Sequence, residues 1–333
     1  MKIAYLGLGA WGFTLARLLS EKGHDVTAWT KEQDVLSQIQ TTGEHPYLKG
    51  RKAPSNLSVT NDLAEALKDA DLIVESVTGA GCRPVFENIK ALGIPSKTPI
   101  VVTSKGIEQH TGLILPDVIT SILGKERDGH VCVLSGPSFA DEVSMNLPTS
   151  VVCGSTSLET AAVVADAFST PFFRVYPNKD IRGVAFGGAL KNIIAIACGV
   201  SDGMQLGTGA RAALMTRGLH EMVKLARLQG CNTETLYGLS GMGDLFLTCS
   251  SSTSRNYRFG ELLAKGLELD DAKKNIKMVV EGAYTAISAV ELCHKHNITM
   301  PISEMVLQII QGKVTPKEAV TLLMSRSIKE EVL

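Results

Sequence analysis

The chain has 333 residues, 44% of them apolar and 20% charged, the make-up of an ordinary globular protein long enough to expect two domains. Lys and Arg number 33 against 34 Asp and Glu. That balance excludes a broad basic field for nucleic acid, so any anion must be held by a few placed cations.

The chain opens on KIAYLGLGAWGFTLA. Residues 3–6 read as a buried strand and residues 13–19 as a helix, with Gly7, Gly9 and Gly12 between them as G-x-G-x-x-G. In a dinucleotide-binding turn the glycines give a tight bend, close backbone approach to a pyrophosphate and close helix–strand contact. The helix N-terminus offers N–H groups to the phosphates. The glycines interrupt the apolar run, so the segment does not read as a targeting peptide. No apolar run reaches the ~18 residues of a membrane span, and no membrane insertion is expected.

Residues 25–29 form the second expected strand, ending at Thr30-Lys31-Glu32. Glu32 would bond an NAD ribose hydroxyl, whereas Lys31 would pair with the 2′-phosphate of NADP; the expectation favours NADPH, with NADH as the alternative. Residues 43–56, polar and rich in Gly and Pro, read as an extended loop. Residues 57–60 read as a strand, followed by a helix capped by Asn61-Asp62. Strands are expected at 71–77, 99–103, 131–134, 150–153 and 172–176, with a helix at 158–168. The strand ends place Thr78, Lys105 and the turn at 135–140 on the edge where α/β proteins bind ligands. Alternation of this kind predicts a doubly wound, mostly parallel α/β sheet over residues 1–180.

After residue 180 strand signals stop. Residues 184–200 form a long apolar segment read as a buried helix. Helices are expected at 210–229, 257–265, 282–296, 302–311 and 316–324, the last with Thr315 as N-cap and Pro316 at its first position. The second domain, 181–333, is therefore expected to be all-α and to carry the substrate chemistry.

Lys191-Asn192 interrupts the apolar helix. A buried ammonium needs a cleft, an anion or a carboxylate; as a functional group it would protonate the alkoxide that hydride transfer to a carbonyl creates. Asp244 in LSGMGDLFLT is either a helix cap or the carboxylate that orients Lys191. SSSTSRNY (250–257) gathers hydroxyls around Arg255 and Asn256, a composition suited to phosphate. Glu281 stands before an expected helix. Seven cysteines (82, 132, 153, 198, 231, 249 and 293) form no C-x-x-C pair and read as free thiols in a reducing, cytoplasmic compartment. His294 and His296 lack the companions of a metal site, and none is expected.

Read together, these segments resemble the bacterial NAD(P)-dependent glycerol-3-phosphate dehydrogenase family. The nucleotide loop is joined by KGIE (105–108), GPSFADEV (136–143), GALKNIIAIACGVSDG (188–203), AALMTRGLHE (212–221), GMGDLFLTCSSSTSRNYRFG (241–260) and VVEGAYTA (279–286). The resemblance implies a Rossmann-type N-terminal domain, an all-α C-terminal domain and reversible reduction of dihydroxyacetone phosphate to sn-glycerol 3-phosphate, a glycerophospholipid precursor. It makes Lys191 the proton donor in reduction and acceptor in oxidation. Lys105, Gly136, Ser138, Lys191, Asp244, Ser254, Arg255 and Asn256 would line the substrate site. Gly7, Gly9, Ala10, Trp11, Gly12, Lys31, Lys105, Ala140, Arg255, Val279 and Glu281 would contact the cofactor. The sequence departs from the family's pattern at Ala10, where serine is common, at Lys31, where arginine is usual, and at Gly209, where asparagine is frequent. A homodimer is left open. A related β-hydroxyacid or ketoacid dehydrogenase, with Arg255 on a carboxylate, is the alternative enzyme; a non-catalytic dinucleotide-binding redox sensor is the alternative from another class.

Overall fold

A computed structural model describes residues 1–276, 279–328, 330 and 331. The chain divides into two compact units: Met1–Lys105 with Leu115–Val184, and Gly106–Ile114 with Ala185–Leu333. The excursion of Gly106–Ile114 into the second unit carries no compositional mark in the sequence.

Among the described residues the strands are β1 (Lys2–Leu6), β2 (Asp25–Trp29), β3 (Glu44–His45), β4 (Leu48–Lys52), β5 (Leu57–Thr60), β6 (Leu72–Glu75), β7 (Ile100–Val102), β8 (Val131–Ser135), β9 (Thr149–Gly154) and β10 (Phe173–Asn178). Eight of them form one sheet in the order β10-β9-β8-β7-β6-β1-β2-β5. Neighbours run parallel except β8 and β9. The first unit's helices are α1 (Ala10–Glu21), α2 (Gln33–Thr42), α3 (Leu63–Leu67), α4 (Gly79–Leu92), α5 (Leu115–Leu123), α6 (Ala140–Ser144) and α7 (Leu158–Phe168). Helices flank strands whose apolar residues are buried, which is why β6, β7 and β8 read as continuous apolar runs rather than alternations. β1 is the strand where the order reverses, pairing with β2 on one side and β6 on the other. Gly7 therefore leaves the sheet at its topological switch point, the place where open α/β sheets bind ligands.

The expectation of a loop over residues 43–56 is corrected in part: β3 and β4 form a separate antiparallel hairpin there. Its polar strands hide the pattern because only His45 and Leu48 are buried. His45 fastens the hairpin to the glycine loop. Its Nδ1 accepts from the Tyr47 N–H, so Nε2 carries the proton and donates to the Leu8 carbonyl at 2.8 Å. The ring also stacks on Phe13, with centroids 5.1 Å apart. Burial lowers the imidazole's pKa, the direction that favours the neutral ring this arrangement uses.

The second unit is helical, with no strand among its described residues. It contains α9 (Thr208–Leu228), α10 (Thr233–Tyr237), α11 (Asp244–Cys249), α12 (Arg255–Ala264), α13 (Leu269–Ile276), α14 (Glu281–Lys295), α15 (Pro301–Ile310) and α16 (Pro316–Met324); α8 (Ile181–Gly203) begins four residues before it and runs into it. By length and composition α8 could cross a bilayer, yet its apolar window is wholly buried in the fold. Phe186, Leu190, Ile193 and Ile194 from α8 share one core with Leu219, Met222, Leu245, Phe259 and Ala286. The helix is apolar all round because neighbours surround it, the arrangement that removes a one-sided stripe.

Candidate active site

In the first unit the glycine loop has the geometry of a dinucleotide cradle. Gly7 has φ +99°, and a Cβ there would lie 2.7 Å from the Ser76 carbonyl oxygen, so glycine is required twice over. A Cβ at Gly12 would lie 2.1 Å from the Gly7 carbonyl oxygen, which demands glycine for helix–strand contact. Gly9, the N-cap of α1, differs: no described protein atom comes within 4 Å of a Cβ built there. The open space there leaves room for the close backbone approach of a pyrophosphate. Ala10 and Trp11 open α1 behind it. Thr14 Oγ1 bonds the Ala10 carbonyl at 2.9 Å and the Ala140 carbonyl at 3.3 Å, which brings the start of α6 to the nucleotide helix. Lys31 is exposed beyond β2.

Lys105 is half-buried beyond β7. Gly136 and Ser138 follow β8; a Cβ at Gly136 would sit 2.8 Å from the Val151 Cα, and the Ser138 hydroxyl donates to the Gly136 carbonyl at 3.1 Å. These residues, with the glycine loop, lie beyond the carboxyl ends of parallel strands.

In the second unit Lys191 is 5% exposed and Asp244 is fully buried. The Lys191 amine donates to the Asp244 carboxylate and, at 2.7 Å, to Thr248 Oγ1. Thr248 Oγ1 also lies 3.3 Å from Asp244 Oδ1. Asp244 is the first residue of α11 and does not serve as its N-cap; its side chain is turned to the lysine. A single π turn at Leu239–Gly243 leads into that helix. Thr248 stands outside the residues singled out from the sequence. No helix was expected over residues 244–249, so the i, i+4 spacing from Asp244 gave no signal for it.

Ser254 caps α12, its hydroxyl accepting from the Tyr257 N–H at 3.3 Å. Arg255 and Asn256 occupy the first turn. Arg255 Nη1 donates to the Val279 carbonyl at 3.2 Å. Burial lowers the Arg255 pKa while the Glu281 charge opposes that shift. Asn256 Oδ1 accepts from the Gly282 N–H at 3.0 Å. A Cβ at Gly282 would lie 2.7 Å from both Asn256 Oδ1 and the Asn192 carbonyl. The starts of α12 and α14 thus meet α8 one residue beyond Lys191, gathering Arg255, Asn256, Val279 and Glu281.

The profile of the NAD-dependent glycerol-3-phosphate dehydrogenase N-terminus matches residues 2–161, and that of the C-terminus matches residues 180–321. The chain belongs to the NAD-dependent glycerol-3-phosphate dehydrogenase family. Among its relatives, glycerol-3-phosphate dehydrogenase [NAD(P)+] of Protochlamydia amoebophila (strain UWE25) is 58% identical over 332 residues, 100% of this chain and 99% of that protein. The protein of the same name from Chlamydia abortus (strain DSM 27085 / S26/3) is 49% identical with the same coverage. A crystal structure of glycerol-3-phosphate dehydrogenase from Coxiella burnetii superposes with TM-score 0.93 at 38% identity, covering 98% of this chain and 99% of that one. Membership of the glycerol-3-phosphate dehydrogenase family makes this an oxidoreductase that works with NADH or NADPH.

Proposed function

We infer that this dehydrogenase reduces dihydroxyacetone phosphate reversibly to sn-glycerol 3-phosphate, with Lys191 as the proton-transfer residue. The observation that carries the reading is the buried Lys191 amine held by Asp244 and Thr248. An ammonium is rarely buried, and one fixed by a carboxylate and a hydroxyl is oriented for proton transfer.

When bound, the reduced nicotinamide would supply a hydride to the substrate's carbonyl carbon. The carbonyl π pair then becomes an oxygen lone pair, and Lys191 stabilises the developing alkoxide and gives it a proton. Asp244 holds the amine in place before that transfer. In the oxidation direction Lys191 takes the hydroxyl proton, by microscopic reversal. Arg255, Asn256 and the Ser254 hydroxyl would engage the phosphate, with Lys105, Gly136 and Ser138 completing the substrate contacts. The Gly7–Gly12 loop and α1 N-terminus would hold the pyrophosphate, with Ala10, Trp11, Lys31, Ala140, Arg255, Val279 and Glu281 as further cofactor contacts. Lys31 supports NADPH, through its charge toward a 2′-phosphate. The product supplies glycerophospholipid synthesis, and the seven buried free thiols support a cytoplasmic setting.

Initial rates with dihydroxyacetone phosphate against NADH and NADPH test the reading. Oxidation of reduced cofactor with this substrate, and none with 2-keto or 3-keto acids, is expected. Nucleotide binding without turnover of dihydroxyacetone phosphate would overturn it.

A further inference from the structure

Resting on that assignment of Lys105, we propose that Glu75 is a positioning residue that fixes the segment after β7 and so sets where Lys105 meets the phosphorylated substrate. Glu75 ends β6, an otherwise apolar strand, and is fully buried. An apolar side chain would satisfy burial there. The carboxyl instead joins two strand exits. One oxygen accepts from the Val77 N–H at 2.9 Å, on the turn after β6; the other accepts from Ser104 Oγ at 2.5 Å, on the segment after β7.

Residues 103–106 have no regular structure of their own, so individual bonds rather than a ladder define their path. Thr103 adds one main-chain and one side-chain bond, both independent of the carboxyl: its N–H and its Oγ1 each donate to the Glu75 main-chain carbonyl at 2.9 Å. Proton counting then orients the neighbouring hydroxyls. The Thr103 proton is committed to that carbonyl, so Ser76 Oγ must donate to Thr103 Oγ1, and Tyr5 Oη must donate to Ser76 Oγ at 2.8 Å. The directed chain spans the ends of β1, β6 and β7 and terminates on Glu75. Ser76 is also the residue whose carbonyl crowds Gly7.

Glu75 therefore ties the backing of the nucleotide loop to the residue immediately before Lys105. A long flexible lysine gains precision from a fixed Cα, and Ser104 is the side chain immediately before it. Loss of the carboxyl leaves two half-buried donors unpaired and frees Ser104, while Thr103 keeps its bonds to the main-chain carbonyl.

The test is steady-state kinetics of Glu75→Val, Glu75→Gln, Ser104→Ala, Lys105→Ala and the double variant Glu75→Val/Lys105→Ala, with NADPH affinity read by nucleotide fluorescence. Glu75→Val is expected to raise KM for dihydroxyacetone phosphate about tenfold or more, with kcat within about threefold and NADPH Kd raised less than KM, since Lys105 would also reach the cofactor. Glu75→Gln should recover part of the loss, since its amide oxygen keeps one acceptor. Ser104→Ala should raise KM in the same direction and guards against a Glu75→Val that does not fold. In the double variant, Glu75→Val should add less than twofold to the effect of Lys105→Ala, because its action passes through Lys105. A raised KM in Lys105→Ala with unchanged KM in Glu75→Val and Ser104→Ala overturns the proposal alone. An unchanged KM in Lys105→Ala overturns the role of Lys105 itself, and the proposal with it.

Discussion

At the scale of the residue, Lys191 and Asp244 are bound to each other's fate. Removing one member of a buried ion pair leaves an uncompensated charge and costs about 3–5 kcal/mol. Lys191→Ala should therefore lose both stability and activity, and the two losses have to be separated. The expected activity loss is ~10²–10⁴-fold in kcat, while NADPH Kd, measured on the folded fraction, should change little. Substantial turnover by folded Lys191→Ala protein would refute the proton-transfer role. Glu221 offers a second residue-scale prediction, unconnected with the chemistry. Its buried carboxyl accepts from the N–H groups of Ile302 and Ser303 and from Ser303 Oγ, at the start of α15. Burial nevertheless pushes its pKa from the ordinary 4.5 up to about 7, with Glu304 adding to the rise. The folded protein then binds more protons at Glu221 than the unfolded chain between those two values. Its contribution to stability must fall as pH rises from 4.5 to about 7, by an amount on the order of 3 kcal/mol. Thermal melts of wild type and Glu221→Gln across pH 4–8 check this: the difference in stability between them should shift through that window and be level above it. A pH-independent difference would contradict it.

At the scale of the element, local chemistry decided what could be read in advance. The start of α16 was visible because Thr315 and Pro316 act within one turn; the structure adds a full capping box, with Glu318 closing back on Thr315. Asp62 capped α3 for the same reason. Helix α4 carries Gly79 and Gly81 in its first turn and Pro84 inside it, residues that mask helical periodicity because interior proline lacks the N–H of the ladder. The hairpin of β3 and β4 depends on His45 reaching Leu8, a contact 37 positions away, and leaves no alternation to find. Glu75 was hidden inside a strand correctly recognised as apolar, because its partner Ser104 lies 29 positions on. Lys191 was legible as a misfit in an apolar helix, whereas its bond to Thr248 was not, since that pairing needs two helices to be placed. Their neighbour α12 makes the packing testable. A Cβ at Gly260 would lie 2.1 Å from the Ile196 carbonyl oxygen, and one at Gly199 would lie 1.9 Å from the Tyr257 carbonyl oxygen. The two backbones touch, and Tyr257 Oη bonds Asp202 of α8 as well. Gly260→Ala must push α12 outward, at a cost of about 3 kcal/mol, carrying Arg255 and Asn256 away from α8. Urea denaturation and kinetics together check this: lowered stability should come with a raised KM for dihydroxyacetone phosphate, and a variant as stable as wild type would show that the contact yields without cost.

At the scale of the molecule, the polypeptide builds two cores. One gathers Tyr5, Phe13, Leu19, Val26, Phe168 and Phe173 around the sheet; the other gathers Phe186, Ile193, Met222, Phe259 and Ala286 around α8. Each is a self-contained source of burial free energy, so each unit has its own reason to melt cooperatively. The nucleotide loop, its switch point and the Glu75 chain all belong to the first unit, whereas the Lys191 cluster belongs to the second. A ligand that binds only folded protein stabilises what it binds by RT ln(1 + [L]/Kd), about 2.7 kcal/mol at a hundredfold excess over Kd. Differential scanning calorimetry should accordingly resolve two overlapping transitions, with a van't Hoff enthalpy below the calorimetric one. NADPH should move chiefly the transition of the first unit upward, and Gly9→Val, which fills the bare approach to the loop, should abolish that movement while leaving the second transition in place. Gly260→Ala should do the converse, lowering the second transition alone. A single transition that responds as a whole to NADPH and to both substitutions would mean that the two cores fold as one cooperative body.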